Sequence, residues 1–298
     1  MPARIFERDG WRVSGDLQIV GDRSAAAVDE LAARFLRDAQ QWEITVPRPM
    51  TVVGTSMATG ELQSDEHAHR EAQLFYVARG EVSCATPDAM WIVPPGSALW
   101  LPGGVLHRIH GRAPLEGYSV FVQPEAARGL PTTCSGMAVT PLLRELFVRL
   151  ASRPPLYDPA GPDGRIVGVL FDELAAAPLE NHRLPMPRDP RLRKLVDGLL
   201  ANPASGAKMG TWAKRTGMAE RTLNRLLVSE TGLSFGRWRQ QLHIVLALQK
   251  LSRGSSVQSV AEDLGYESAS SFVTMFRKAM GRSPARYFAS RLRAESGQ

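Results

Sequence analysis

What most limits the folds open to this chain is a repeat near its C-terminal end. Met209, Trp212, Ala213, Thr216, Gly217 and Met218 recur 48 residues later as Val257, Val260, Ala261, Leu264, Gly265 and Tyr266. One residue is then inserted, and at an offset of 49 Leu223, Leu227, Gly232 and Ser234 return as Phe272, Phe276, Gly281 and Ser283. Self-similarity at a fixed offset means that one supersecondary unit is used twice. In each copy apolar residues spaced by three and four reach a glycine, break, and resume. That pattern describes two short helices joined by a tight turn, with the alanine at the helix crossing and the glycine supplying a positive φ. Helix-turn-helix units are therefore expected at about 209–230 and about 257–280. Between them Phe235–Leu251 reads as one helix with Trp238, Leu242, Val245 and Leu246 on one side. A rigid joining helix would fix the separation of the two units, so that both second helices enter successive major grooves about 34 Å apart.

Charge points the same way. From Pro185 to Gln298 there are 19 Lys+Arg against 8 Asp+Glu, a net of +11, whereas Met1–Leu184 holds 17 against 22, a net of −5. A basic block beside an acidic one suits a polyanion-binding module joined to something else. In the first unit Ala219, Leu223, Leu226 and Leu227 are expected to form the buried stripe, which turns Arg221, Asn224 and Arg225 outward. Arg and Asn are suited to bidentate reading of guanine and adenine edges. In the second unit burial of Phe272 and Phe276 exposes Ser268, Ser270, Thr274 and Arg277, shorter side chains better fitted to phosphate than to bases. Arg237, Arg239, Lys278 and Arg282 are the neighbouring phosphate contacts, with Arg277 beside them.

These residues resemble the AraC family of bacterial transcription regulators. The likeness is carried by Ala219-Glu220-Arg221-Thr222-Leu223-Asn224-Arg225-Leu226 and Glu230-Thr231-Gly232-Leu233-Ser234-Phe235. It continues in Val260-Ala261-Glu262-Asp263-Leu264-Gly265-Tyr266-Glu267-Ser268, then Phe272, Phe276-Arg277-Lys278, Gly281 and Ser283-Pro284. The resemblance implies base contacts from Arg221, Asn224 and Arg225 and, in the second unit, from Ala269, Ser270 and Thr274, where the family often carries longer polar side chains. His243 stands where the family commonly has arginine. It also implies a ligand-sensing or dimerising domain ahead of the DNA-binding part, hence double-stranded promoter DNA, a small-molecule effector and a second copy of the chain in a homodimer as partners.

The first part of the chain has a different texture. From Thr45 to Gln123 short β-branched and aromatic runs (Met50–Val53, Leu74–Val77, Trp91–Val93, Leu99–Leu101, Tyr118–Val122) alternate with turns at Pro87-Asp88, Pro94-Pro95-Gly96 and Pro102-Gly103-Gly104. Many short strands with such punctuation indicate an antiparallel sandwich or barrel. The expected organisation is α+β and multidomain: an N-terminal extension over 1–44 with one helix at Ala25–Gln41, and a β-barrel over 45–130. A helical linker and dimerisation segment follows over 131–184, and an all-α DNA-binding domain over 185–298. In the linker Leu142, Leu143, Leu146, Phe147 and Leu150 form one stripe and Ile166, Val167, Leu170 and Leu174 a second. The run Leu184-Pro185-Met186-Pro187-Arg188-Asp189-Pro190 reads as the connection to the DNA-binding domain.

Four of the six histidines, His67, His69, His107 and His110, fall in the β region. His67 and His69 share one face of a strand because side chains alternate with a period of two, and Glu71 and Gln73 are in phase with them. With the Gly96, Pro102-Gly103-Gly104 and His107 spacing this is similar to the two cupin motifs, except that Gln73 stands where metal-binding cupins usually have glutamate. Three neutral imidazoles and an oxygen donor suit a divalent zinc, nickel, iron or manganese ion, with His67, His69, Gln73 and His107 as ligands. The same four residues with Trp100 are candidates to line an effector pocket, for which Met57, Phe75, Tyr76, Trp91 and Tyr118 are further material.

Two cysteines, Cys84 and Cys134, exclude a disulfide framework and a four-thiolate zinc site. No apolar run reaches the length of a membrane span, and Met1–Gly10 lacks the apolar stretch of a secretory signal, so the chain is expected to work in the cytoplasm. No Ser/His/Asp grouping or phosphate-cradling glycine loop is present. The expectation is thus a regulator and not an enzyme. The alternative is a metal-dependent cupin enzyme, with its metal on His67, His69 and His107, that carries a DNA-binding tail.

Overall fold

The computed structural model describes residues 47–289, together with the backbone of three strands at 5–8, 11–15 and 18–20. The helix expected at Ala25–Gln41 lies outside the described residues. The chain divides into two compact units, one within Met1–Thr86 and Val93–Asn181, the other within Pro87–Ile92 and His182–Ser290. Among the described residues no helix is long and apolar enough to cross a membrane.

The first unit is antiparallel β structure carrying two helices. Its strands are β1 (Ile5–Arg8), β2 (Trp11–Gly15), β3 (Gln18–Val20), β4 (Met50–Met57), β5 (Gly60–Ser64) and β6 (Ala72–Thr86). After β7 (Ala89–Val93) come β8 (Ser97–Leu101), β9 (Arg108–Val122) and β10 (Ser135–Ala138). The long strand β9 organises them: its first half pairs with β5, its second half with β4, and β6 runs beside both halves. β6 follows this course through register shifts between Val77 and Arg79 and between Arg79 and Glu81. At the bulge Gly80 has φ +83°, and a Cβ there would lie 2.2 Å from Pro114 O, so only glycine fits. The expected runs at Met50, Leu74, Leu99 and Tyr118 all fall inside these strands.

Side-chain alternation gives this sheet two buried faces. Ala72, Leu74, Tyr76, Ala98, Trp100, Val120 and Val122 pack in one core against Leu143, Phe147 and Leu150 of α1 (Pro141–Ala151) and Val167, Leu170 and Leu174 of α2 (Pro162–Ala176). The residues between them, Gln73, Phe75, Val77, Leu99, Leu101 and Phe121, are buried on the opposite face. α1 starts at Pro141, and Thr140 caps it by accepting from Leu143 N at 3.1 Å. Leu142, expected in the α1 stripe, is instead 48% exposed. It sits one position before Leu143, about 100° away around the helix. The segment expected as a linker therefore folds largely into the first unit, through to β11 (Leu179–Glu180).

In the second unit β12 (Arg183–Pro185) pairs antiparallel with β7, Arg183 opposite Trp91 and Leu184 opposite Met90. Then follow α3 (Pro190–Ala201), α4 (Met209–Thr216), α5 (Glu220–Thr231), α6 (Phe235–Ser252), α7 (Val257–Asp263) and α8 (Ala269–Met280). The proline-rich run is not a solvated linker. Leu184 is fully buried in the helical core, Pro185 O accepts from Trp238 Nε1 at 2.7 Å, and Asp189 caps α3 by accepting from Arg191 N at 2.8 Å. Pro190 then opens the helix, where a missing N–H costs nothing.

The joining helix α6 also departs from expectation. Phe235, Trp238, Leu242, His243, Ile244, Val245, Ala247 and Leu248 are all buried, so it is not one-sided but is enclosed by its neighbours. One apolar core runs from Leu192 and Trp212 through Trp238 and Leu242 to Phe272 and Phe276.

Candidate functional site

The repeat is reproduced hydrogen bond by hydrogen bond. Met218 N donates to Ala213 O at 3.0 Å and Tyr266 N to Ala261 O at 2.9 Å; Gly217 N donates to Lys214 O at 3.3 Å and Gly265 N to Glu262 O at 2.9 Å. Both turn glycines are left-handed, with φ +68° and +76°, as are Gly232 and Gly281 at the ends of the second helices, +73° and +74°. These bonds satisfy the last carbonyls of the first helix and aim the second. On α5 Leu223 and Leu227 are fully buried, Leu226 is half-buried, and Arg221 and Arg225 stand exposed. Ala219, expected in the buried stripe, is exposed because it is the residue before the first helical turn. On α8 Phe272 and Phe276 are buried, Ser270 and Thr274 are exposed and Ala269 is half-buried. Ser268 caps this helix by accepting from Ser271 N at 3.2 Å. Asn224 is half-buried, and its Oδ1 accepts from Phe235 N at 3.3 Å, at the start of α6.

The second constellation lies in the first unit, where three imidazoles converge. His67 and His107 form an isolated antiparallel bridge, His67 N donating to His107 O at 2.9 Å and His107 N to His67 O at 2.8 Å. His69 is held by the Pro102-Gly103-Gly104 turn: Gly104 N donates to His69 O at 2.7 Å, and a Cβ on Gly103 would lie 2.1 Å from Arg70 O. The period-two spacing suggested a strand, but neither His67 nor His69 lies in one; both sit in the segment between β5 and β6, His67 in its isolated bridge. The ring centroids are 4.3 Å apart for His67 and His107, 5.3 Å for His69 and His107, and 5.9 Å for His67 and His69.

Each Nδ1 faces a main-chain carbonyl, Asp65 O at 2.9 Å for His67, Glu71 O at 2.8 Å for His69 and Val105 O at 2.8 Å for His107. A carbonyl can only accept, so each Nδ1 carries a proton, and Nε2 is the nitrogen on which a neutral ring holds its lone pair. Burial pulls the His107 imidazole down to about 3 and His67 to about 4, its neighbouring rings adding to the effect. Both are therefore neutral at physiological pH. Gln73 Oε1 lies 2.9 Å from His69 Nε2, and Phe121 and Phe75 stand near, 5.9 Å from His69 and 6.5 Å from His107 by centroid.

Comparison with known proteins settles the family. Residues 212–290 match the model of a helix-turn-helix domain, and residues 55–166 match that of the AraC-like ligand binding domain. The HTH-type transcriptional regulator NimR of Escherichia coli K12 is 42% identical over 231 residues, 78% of this chain and 84% of its own length. The chain belongs to the AraC family of transcriptional regulators. A second relative, the HTH-type transcriptional regulator RipA of Corynebacterium diphtheriae, is 26% identical over 218 residues, 72% of this chain and 60% of its own length. The DNA-binding domain of AdpA, solved in complex with a target DNA, is 30% identical, covers 36% of this chain and 97% of that one, and superposes with a TM-score of 0.33.

Within this AraC-family chain the histidine-centred residues divide. His67, His69, Gln73 and His107 come together. Trp100 does not join them: it lies on the other face of the sheet, in the core with Tyr76 and Phe147, and its Nε1 donates to Pro131 O at 2.7 Å. Tyr76 and Tyr118 also pack on Phe147. His110 faces Glu61 at 3.6 Å, away from the cluster. Two side chains beside the imidazoles carried no expectation as site residues. Phe121 was legible from the alternation of β9. The buried carboxylate of Glu71, whose Oε2 lies 4.0 Å from His69 Nδ1, was in phase with the histidines but gave no sign of burial. Of the cationic residues, Arg237, Arg277, Lys278 and Arg282 are exposed, and Arg239 is half-buried with its guanidinium over Phe235.

Proposed function

We propose that this AraC-family regulator recognises a specific promoter site in double-stranded DNA and that an effector, a small molecule or a metal ion, bound at the His67–His69–Gln73–His107 cluster controls that binding. The observation that carries the DNA half is the pair of matched turns, each presenting a second helix whose outward positions are polar. Arg221 and Arg225 read bases from α5, with Ala269, Ser270 and Thr274 contributing from α8. Asn224 joins them with its NH2 and with the second lone pair of an Oδ1 that already accepts from Phe235 N. Arg237, Arg239, Arg277, Lys278 and Arg282 neutralise phosphates and make binding steeply salt-dependent. The barrel performs no catalytic step, and the protein acts in the cytoplasm. Leu142, Val148 and Val169, exposed on α1 and α2, supply apolar surface for a homodimer, which sedimentation of the purified chain would report.

The test is fluorescence anisotropy on DNA flanking the protein's own gene, with random DNA alongside, across a salt series. Arg225→Ala is expected to weaken specific binding about tenfold to a hundredfold, the worth of one good base contact, and to lower random-DNA binding far less. Equal losses on both DNAs would refute base reading by Arg225.

A further inference from the structure

We infer that His67, His69 and His107 hold one divalent transition-metal ion through Nε2, that Gln73 Oε1 completes the donor set, that the Glu71 carboxylate balances part of the charge, and that an open position on the metal takes a small anionic effector. This rests on the effector site proposed above and names what occupies it.

Several features of the site ask for a cation. The three rings each offer a ligand nitrogen, and these atoms lie within 4.8 Å of one another. With every Nδ1–H committed to a main-chain carbonyl, Nε2 is the nitrogen each ring has left to offer a ligand. Outward hydrogen bonds of this kind are what fix the tautomer and orientation of metal-bound imidazoles. His107 Nε2 is buried with no hydrogen-bond partner. A polar atom left so is destabilising, and a bound ion removes the cost. Gln73 Oε1 lies 2.9 Å from His69 Nε2, so one cation placed against both would take an oxygen and a nitrogen donor at once; without it the contact needs a proton on Nε2 or the amide turned to present its NH2. Finally, Glu71 is 4% exposed and its Oε2 is buried without a hydrogen bond. A buried carboxylate needs positive charge nearby.

The donor chemistry then limits both metal and effector. Three imidazoles and an amide oxygen suit zinc, nickel, iron or manganese and offer no soft ligand for copper(I). Neutral donors leave the full charge of +2 on the ion, and among the described residues the Glu71 carboxylate beside the site can offset only one unit of it. A small anion with an oxygen donor meets that residual charge, and Phe75 and Phe121 supply apolar wall for its carbon part.

Cobalt(II) is the probe, because its visible absorption reports ligand number and anion binding. The metal-stripped full-length protein should take up one cobalt per chain with a visible ligand-field spectrum, and azide should shift that spectrum. His69→Ala should abolish the stoichiometric uptake. Glu71→Gln should retain the far-UV circular dichroism of the wild type and weaken cobalt binding by about 10–100-fold, the effect of removing one unit charge a few ångströms from the ion. No stoichiometric cobalt in folded wild-type protein overturns the metal site, unchanged affinity in Glu71→Gln overturns the charge balance, and a spectrum indifferent to azide overturns the open position. Anisotropy on the promoter DNA with the same samples separates the two proposals: specific DNA binding without cobalt uptake sinks only this one, and cobalt uptake without specific DNA binding sinks only the other.

Discussion

Gly217 and Gly265 occupy equivalent places in the two turns, yet alanine should not cost the same at both. Each glycine is left-handed, at φ +68° and +76°, so a Cβ at either position meets the backbone penalty of that region, about 1–2 kcal/mol. At Gly217 nothing lies within 4 Å of the added carbon, and the penalty ends there. At Gly265 the carbon would lie 2.8 Å from Ala204 O and 2.9 Å from Ala204 Cα, main-chain atoms of a loop that cannot swing aside as a side chain can. The same loop is held to α6 by the contact of His243 Nε2 with Pro203 O at 3.2 Å. Forcing it back adds about 1–3 kcal/mol, the range for an inserted methyl group in a packed site. Gly265→Ala is therefore expected to destabilise the helical unit by about 2–5 kcal/mol and Gly217→Ala by about 1–2 kcal/mol. Urea unfolding of the full-length chain, followed by ellipticity at 222 nm, measures both. Equal midpoints for the two variants, or a lower midpoint for Gly217→Ala, would refute the role given to the Ala204 contact.

Gly198→Ala in α3 should lower the thermal midpoint although alanine is the better helix former: the gain of about 1 kcal/mol is outweighed by a Cβ placed 2.3 Å from Trp212 Cη2, and a raised midpoint would contradict the packing. Asn224→Ala should cost about 1 kcal/mol in urea titrations, because Phe235 N loses its acceptor, and an unchanged midpoint would free Asn224 for base reading alone. Burial holds the His243 imidazole below the ordinary value of 6.5, with the nearby Arg239 charge acting in the same direction. The unfolded chain then binds this proton more readily, so stability is full above that value and declines as pH falls below it. His243→Gln should flatten the slope by one proton's share, measured as urea midpoints between pH 8 and 5.

The helix-turn-helix pair was readable because everything that defines it is local: a glycine at positive φ, an alanine four residues before it, and apolar residues spaced by three and four. Spacing of the same kind existed in α3, where Leu192, Leu195, Val196 and Leu199 are all fully buried. It was masked by the prolines before it. Pro185, Pro187 and Pro190 looked like linker punctuation, whereas the first closes β12 and the last opens α3 beneath an aspartate cap. Proline excludes a backbone N–H and fixes φ, and both conditions are met at a helix start as well as in a solvated linker. The far halves of β6 and β9 escaped for another reason. Glu81, Ser83, Arg108, His110 and Arg112 interrupt their apolar runs, and only the pairing of one strand with the other makes them β structure.

The imidazole cluster shows where parity decides what a sequence can reveal. His67 and His69 are two apart and His107 follows a turn whose glycines have little freedom of position, so their meeting was legible. Trp100 was placed with them on its aromatic character, but Leu99, Trp100 and Leu101 are apolar without alternation, and such a run does not say which face each side chain takes. The register settles it: Trp100 pairs with Leu74 and Leu101 with Gln73, so it is Leu101 that shares the face of the histidines. A shift of one residue would have exchanged them. The same parity gives the cluster its chemistry, because it sets Gln73 and Phe121 opposite one another across β6 and β9 on the face where the three imidazoles converge, and leaves the outer face to Leu74, Trp100 and the helices.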